Sequence, residues 1–257
     1  NQGKSYGLSA HDLPSARGHG TPLTGKISCD QGGVFTDILL GKPETQVLLG
    51  TSRGYGFITT LEKMETKNKN GKALLTLNSN LDKILRANII PKTEGALLAM
   101  VSKQGNLLII DVSEIPHLAR GKGNKLINIS KKDFEKKEDC LKNWIVVYKD
   151  YSLILHAGKR FSRYKYKELL DLKMSRALKG KSLPKGYRAV TKLEVEMPKG
   201  GVAEDLDDDL DNDMDENNDI NKNLDKNLDK NLDDEIVQIK PDNKKGDTNF
   251  KKDLFDD

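Results

Sequence analysis

Residues 52–79 read SRGYGFITTLEKMETKNKNGKALLTLNS, and the order of elements in this stretch recurs along the chain. A turn containing Gly leads into an apolar run of β type, which is followed by a polar elbow, a loop rich in Gly and Lys, and a second apolar run. The same order is found in residues 2–28, 102–130 and 153–195. Repeats of about 50 residues with about four strands each are typical of blades around a central axis.

The predicted strands are short runs rich in Val, Ile, Leu and Thr, bounded by turn residues. They cover 34–41, 45–52, 55–61, 71–77, 95–102, 106–113, 124–130, 144–149, 152–158 and 189–197. Helical patterns are confined to 113–118, 133–141 and 166–175, and the second is polar enough to be a solvated turn of helix or a loop. We therefore predict an all-β domain over residues 1–197, with blade repeats at 1–28, 29–79, 80–130 and 131–197. The alternative, a run of unrelated hairpins, does not explain the shared order of elements.

The net charge of +4 conceals two regions of opposite sign. Residues 1–200 carry 35 Lys and Arg against 19 Asp and Glu, whereas residues 201–257 carry 8 against 20. The body is thus at +16 and the tail at −12. The composition of residues 198–257 predicts an acidic, low-complexity, disordered tail. Leu recurs every fourth residue in its KNLD repeats (222–233), so a transient helix or a docking strip remains an alternative.

Several classes of site are excluded by their spacing. Gly20–Lys26 matches the G-x-x-x-x-G-K of a nucleotide-binding loop, but Ile27 replaces the Ser or Thr that holds magnesium, and neither a buried strand nor a helix flanks it. The four His residues lack metal-ligand spacing, and Cys29 and Cys140 are expected to be reduced structural thiols. No apolar run reaches the length of a membrane span, so we expect no such span and a cytoplasmic location.

The remaining chemistry is cationic. Lys and Arg stand beside Gly in every repeat, where Gly allows the backbone to approach a phosphate and the cations displace its counterions. No base-reading helix or finger is evident and aromatic residues are sparse, so the expected ligand is duplex DNA bound through its phosphates and its deformability. The predicted DNA-binding residues are Arg17, Lys26, Lys67, Lys69, Lys72, Arg120, Lys122, Lys125, Lys159, Arg160, Arg163, Lys179, Lys181, Lys185 and Arg188.

Three extended motifs identify a family resemblance. GKSYGLSAHDLPSARGHGTPLTGK (3–26), SRGYGFITTLEKMETKNKNGKALLTL (52–77) and IPHLARGKGNKLINI (115–129) closely resemble the C-terminal domain of the A subunit of bacterial DNA topoisomerase IV, a type IIA topoisomerase. The related gyrase protein has a basic, Gly-rich box in its first blade. That box is not seen here, and ARGKGNK (119–125) is only a degenerate relative of it. The resemblance implies a β-pinwheel, a propeller-like ring whose blades exchange strands, with five blades in the intact domain and the first one truncated in this chain.

The resemblance also implies a function. Such a domain binds and bends duplex DNA on its rim and presents it to a cleavage core for ATP-dependent strand passage, decatenation and relaxation during chromosome segregation. The whole enzyme would contain a second A subunit, the ATPase (B) subunits of topoisomerase IV and magnesium, and would be associated with the nucleoid. Tyr164 follows Arg163 as a cleaving tyrosine would, but it lacks the surroundings of the core. We therefore expect this segment to be inactive alone and to hold no cofactor. The alternative is a propeller-like interaction module whose basic rim docks an acidic protein.

The opposite charges of body and tail predict competition. The tail is expected to act as an intramolecular polyanion that competes with DNA for the basic loops. Deleting residues 201–257 should therefore tighten duplex binding, measured as a lower dissociation constant in a fluorescence titration. An unchanged dissociation constant would show that the tail only improves solubility.

Overall fold

The computed structural model describes residues 1–15 and 17–198, over which short antiparallel strands predominate. The strands are β1 (Lys4–Ser5), β2 (Gln46–Gly50), β3 (Tyr55–Thr60), β4 (Lys72–Ala73), β5 (Asn88–Ile90), β6 (Leu97–Ser102), β7 (Asn106–Asp111), β8 (Asn124–Lys125), β9 (Leu141–Val147), β10 (Ser152–Ala157), β11 (Arg160–Lys165), β12 (Lys181–Ser182) and β13 (Lys192–Glu196). The helices are α1 (Leu61–Met64), α2 (Lys131–Glu135) and α3 (Tyr166–Leu172), and 3₁₀ turns form at Ala10–Asp12, Leu23–Gly25 and Val112–Glu114. The predicted acidic tail lies outside the described residues.

Three of the four sheets in the described part of the chain combine strands from different sequence repeats, whereas the sheet of β10 draws its three strands from the fourth repeat. The strand orders are β5-β2-β3-β8, β12-β7-β6-β9, β11-β10-β13 and β1-β4. In both four-stranded sheets a hairpin forms the centre, and both outer strands come from later parts of the chain. The blades therefore exchange strands, as the predicted all-β pinwheel requires.

The sheets built on β2, β6 and β10 pack face to face. In β6, Leu98 and Met100 are buried in a cluster with residues of β2 and β3, whereas Leu97, Ala99 and Val101 are buried in a cluster with residues of β10. Alternate side chains of a strand point to opposite faces, so the sheet of β6 is apolar on both. Each such side chain contributes about 2 kcal/mol when it is fully buried.

The sheet of β10 is apolar on one face only. Leu153, Leu155 and Ala157 belong to the core, whereas His156 on the opposite face hydrogen-bonds Glu194 of β13 at 2.5 Å. Lys192 also donates to Glu194. The hydrogen bond from Lys192 and, to a smaller extent, that from His156 hold the pKa of the Glu194 carboxyl below its ordinary value. A polar outer face is typical of the terminal unit of a repeat array.

Two hairpin turns each form the same backbone hydrogen bond with a segment farther along the chain. Ser52 N donates to Lys83 O at 2.7 Å, and Lys103 N donates to Cys140 O at 2.8 Å. The preceding Asp in each case is buried and caps the turn. Asp82 accepts from Arg53 N at 2.9 Å, and Asp139 accepts from Gln104 N at 3.0 Å.

The predicted strand at 34–41 is wrong for the described chain, because no strand forms there. Asn1 N donates to Val34 O at 2.7 Å. This is the same contact that Ser52 makes with Lys83 and Lys103 makes with Cys140, so Val34 occupies the equivalent position. After Lys83 and Cys140 the chain continues into β5 or β9, each paired with the first strand of the preceding hairpin. The corresponding hairpin strand is not among residues 1–257. Consequently Ile38 is 96% exposed, whereas Trp144 at the equivalent position in β9 is 8% exposed.

Two further predicted strands are shorter than expected, and the helices differ in detail. The strands predicted at 71–77 and 124–130 contain only β4 and β8, because the chain then turns to bond the preceding hairpin turn. The segment 133–141 contains part of a true helix, α2, whose N-cap Ser130 accepts from Asp133 N at 3.0 Å. The segment 113–118 forms only a 3₁₀ turn, and α3 confirms the third candidate.

The buried hydroxyl group of Tyr148 is expected to make the fold less stable at alkaline pH. Its hydroxyl oxygen is buried with no hydrogen-bond partner within the described part of the chain, and burial, followed by nearby Tyr151, raises its pKa from 10.0 to about 12. The raised pKa in the folded state means that its stabilising contribution is present below pH 10.0 and is lost as the pH rises towards 12. Tyr148→Phe should keep or raise the free energy of unfolding at neutral pH by about 1 kcal/mol and should lose less of it above pH 10. Urea unfolding of the parent and of Tyr148→Phe across this pH range measures the difference. Equal alkaline losses in the two proteins would contradict the prediction.

Candidate nucleic-acid interface

Apart from Lys159, Arg160 and Arg163, the predicted cations of the second, third and fourth repeats lie in loops that contain an exchanged strand. Each strand places its first two residues against the hairpin of the preceding blade, and the register is the same three times. The pairs are Lys72 with Ser5, Asn124 with Gly56, and Lys181 with Leu107. The loops are thereby anchored on one blade while they belong in sequence to the next.

The Gly before each exchanged strand is required by packing. Gly71, Gly123 and Gly180 have φ of +75°, +79° and +84°, a region that L side chains rarely adopt. A Cβ atom at these positions would lie 2.9, 2.4 and 2.6 Å from a backbone oxygen of the strand beneath. Gly stands beside Lys here because the exchanged strand needs this close approach.

Backbone hydrogen bonds link successive basic loops, which we define as basic loop 1 (17–28), basic loop 2 (66–76), basic loop 3 (119–128) and basic loop 4 (176–188). The same contact occurs three times, from the end of one loop to the middle of the next. These contacts are Ser28 N to Lys69 O at 2.7 Å, Thr76 N to Gly121 O at 2.9 Å, and Asn128 N to Leu178 O at 2.9 Å. The four loops therefore form one continuous series.

The predicted cations are largely free to meet a ligand. Lys26, Lys72 and Lys125 are half-buried, and the other twelve of the fifteen are exposed. Lys159, Arg160 and Arg163 lie in the β10–β11 turn and in β11, away from the basic loops in sequence. The structure thus links the loops that carry twelve of the predicted residues, and it places these three on a separate hairpin.

Four of the fifteen cations already bind oxygen atoms within the described chain. Lys72 donates to Lys63 O at 2.7 Å, Lys125 to Asn128 Oδ1 at 3.4 Å, Arg188 to Leu183 O at 2.9 Å, and Arg163 forms an ion pair with Glu196. Arg163 is the one whose partner is a carboxylate, so DNA would have to displace a negative charge from it.

The family is decided by two comparisons. A family model described as the DNA gyrase C-terminal domain, β-propeller, matches residues 45–91 and 96–134. The solved structure of the E. coli ParC C-terminal domain matches with a TM-score of 0.71 at 32% identity, covering 77% of this chain and 79% of that one. The chain belongs to the family of C-terminal domains found in the A subunits of gyrase and topoisomerase IV.

Curated relatives of this family agree, and the predicted resemblance is confirmed. The A subunit of DNA topoisomerase 4 from Pseudomonas aeruginosa is 38% identical over 196 residues, which are 76% of this chain and 26% of that protein. The protein of the same name from Escherichia coli K12 is 32% identical over 206 residues, which are 80% of this chain and 27% of that protein. The chain therefore spans about a quarter of the length of the curated relatives it matches.

Two cations outside the predicted set also contact the basic loops. Nζ of Lys4 lies 2.6 Å from Oδ2 of Asp30, and this hydrogen bond raises the pKa of the Lys4 ammonium group. Nζ of Lys4 also donates to Asn70 O of basic loop 2 at 3.4 Å. Arg176 Nη1 donates to Lys125 O at 3.4 Å and joins basic loop 4 to basic loop 3. Lys4 follows Gly3, and Arg176 begins the Lys- and Gly-rich run 176–188, but the sequence does not indicate which carbonyl oxygens they bind.

The excluded sites remain without structural support. In residues 1–15 and 17–198 no group of His, Cys, Asp and Glu is arranged to hold a metal ion. No helix within the described ranges is long and apolar enough to cross a membrane. Gly20–Lys26 contains the three-residue 3₁₀ turn Leu23–Gly25, and among the described residues before it the nearest strand is β1, whereas a nucleotide-binding loop connects a strand to a helix.

Proposed function

We propose that this domain binds duplex DNA along the four basic loops and bends it, as the DNA-binding and DNA-bending domain of the A subunit of a topoisomerase IV. The observation that carries the proposal is the backbone-linked series of loops with exposed Lys and Arg side chains. Each cation that neutralises a phosphate releases condensed counterions, which supplies affinity without reading sequence.

The secondary structure supports recognition of the backbone rather than of the bases. The longest helix in the described part of the chain, α3, has seven residues. Motifs that read bases usually insert a longer helix or a ribbon into the major groove. A duplex that contacts all four loops has to follow their path, and the energy of bending it then sets its preference for flexible sequences.

The role in the whole enzyme is part of the proposal. The domain would present its DNA segment to a cleavage core formed with a second A subunit and with the ATPase (B) subunits. Magnesium and ATP would serve that core, and strand passage would decatenate and relax DNA in the nucleoid during chromosome segregation. The segment described here would have no strand-passage activity alone.

An acidic protein partner is the second candidate, because the same exposed cations suit a carboxylate-rich surface. The two functions are separated by a bending experiment. A duplex of about 30 base pairs with dyes at both ends should show increased energy transfer when the domain binds, for unrelated sequences alike. Polyglutamate should compete only weakly. Absence of duplex binding at low salt, together with tight binding of polyglutamate, would reverse the assignment.

A further inference from the structure

Lys122 stands at the tip of basic loop 3 on a backbone that is fixed from both sides. On one side, Gly121 N donates to Leu74 O at 2.8 Å. On the other side, Gly123 has φ of +79° and leads into β8, whose Asn124 pairs with Gly56. Residue 122 is therefore held between basic loop 2 and the hairpin of β3.

The side chain of Lys122 is also held, by an aromatic ring. Its Nζ lies 4.1 Å from the centre of the ring of Tyr55, the first residue of β3. The face of an aromatic ring attracts a cation electrostatically without neutralising its charge. Lys72 and Lys125 differ, because their ammonium groups donate to oxygen atoms of this chain.

Basic loop 4 provides a natural comparison. Lys179 precedes Gly180 as Lys122 precedes Gly123, and the residue at the position of Tyr55 is Asn106 of β7. Asn106 is buried and donates to Ser102 Oγ at 3.3 Å, so the position beneath Lys179 holds an amide in place of an aromatic ring. The two loops have the same backbone geometry and differ in how the lysine is held.

We propose that Tyr55 is a positioning residue that holds Lys122 in place for a backbone phosphate. The inference rests on the proposed function. Ordering a long lysine side chain costs conformational entropy. The contact with the ring offsets this cost in the free protein, so less entropy is lost when DNA binds. Lys122 should then contribute more to duplex affinity than an equally exposed lysine without a ring.

A double-mutant cycle in the 1–257 chain tests the proposal, with the dissociation constant for a labelled duplex measured at several salt concentrations. Lys122→Ala should weaken binding and reduce the slope of log affinity against log salt by about 0.9. Tyr55→Leu should weaken binding about two- to five-fold when Lys122 is present, and should have no effect in the Lys122→Ala background. Tyr55→Phe, which keeps the ring, should bind as the parent does.

The matched control uses Lys179. Tyr55→Leu should weaken binding by the same factor with Lys179→Ala as without it, because the two sites are independent. Equal effects of Tyr55→Leu with and without Lys122, or no effect in either case, would overturn the inference while the parent still binds DNA. Loss of binding by the parent chain would instead overturn the proposed function. If Tyr55→Leu lowers the melting temperature, Tyr55→Met tests the same contact with a flexible side chain of similar bulk.

Discussion

Replacing Lys179, Lys181 and Lys185 together by Ala is expected to weaken duplex binding about a hundredfold near 0.1 M salt. All three side chains are exposed in basic loop 4. If each neutralises one phosphate, their removal should lower the slope of log affinity against log salt by about 2.7. Fluorescence anisotropy with a labelled duplex at several salt concentrations measures both quantities.

The control for this triple variant removes the same charge elsewhere. Lys131, Lys132 and Lys136 are exposed in and after α2, outside the basic loops. Their replacement by Ala should change affinity by less than about threefold, because Lys131 and Lys136 are already paired with Glu135 and Glu138 and surface charges outside direct contact are screened by salt. Equal losses in the two triple variants would show that overall charge, rather than basic loop 4, determines binding.

Gly123→Ala is expected to lower the free energy of unfolding by about 3 kcal/mol or more. The new Cβ atom would lie 2.4 Å from Gly56 O at a φ of +79°, so both the exchanged strand β8 and the β3 backbone would have to move. Because β8 anchors basic loop 3, duplex binding should weaken as well, although no charge is removed. Urea unfolding followed by circular dichroism measures the loss of stability.

Gly20 provides a control with nearly the same backbone. Its φ is +77°, but a Cβ atom there would meet nothing within 4 Å. Gly20→Ala should therefore cost only the conformational preference of the residue, about 1 kcal/mol. A loss at Gly123 no larger than that at Gly20 would show that the exchanged strand does not depend on close approach.

Strand β11 was not predicted, because its sequence RFSRYK is polar. The hairpins β2–β3 and β6–β7 were predictable because each is local, with its own turn and its own apolar runs. The exchanged strands were not, because their partners are supplied by another repeat, and a two-residue strand leaves no period to detect. The segment 34–41 shows the converse. It has the composition of a strand, but a strand also needs a neighbour, and the hairpin strand that would pair with it is not in this chain.

The candidate site, like the fold, was only partly predictable from the sequence. Lys and Arg beside Gly were visible in the sequence, although the Gly residues turned out to serve strand exchange. The bond from Ser28 to Lys69 places Ser28 at the position of Thr76, so Lys26 corresponds to Leu74 rather than to Lys72. The ring of Tyr55 beneath Lys122 could not be predicted, because the two residues belong to different repeats and are brought together by the pairing of β8 with β3.

The most direct test of DNA binding along the basic loops is the affinity of the 1–257 chain for duplexes of unrelated sequence between about 50 and 200 mM salt. Log affinity is predicted to fall linearly with log salt, with a slope of about 0.9 for each phosphate contacted and the same slope for every sequence. No measurable duplex binding at the lowest salt, or an affinity that does not change with salt, would contradict the account.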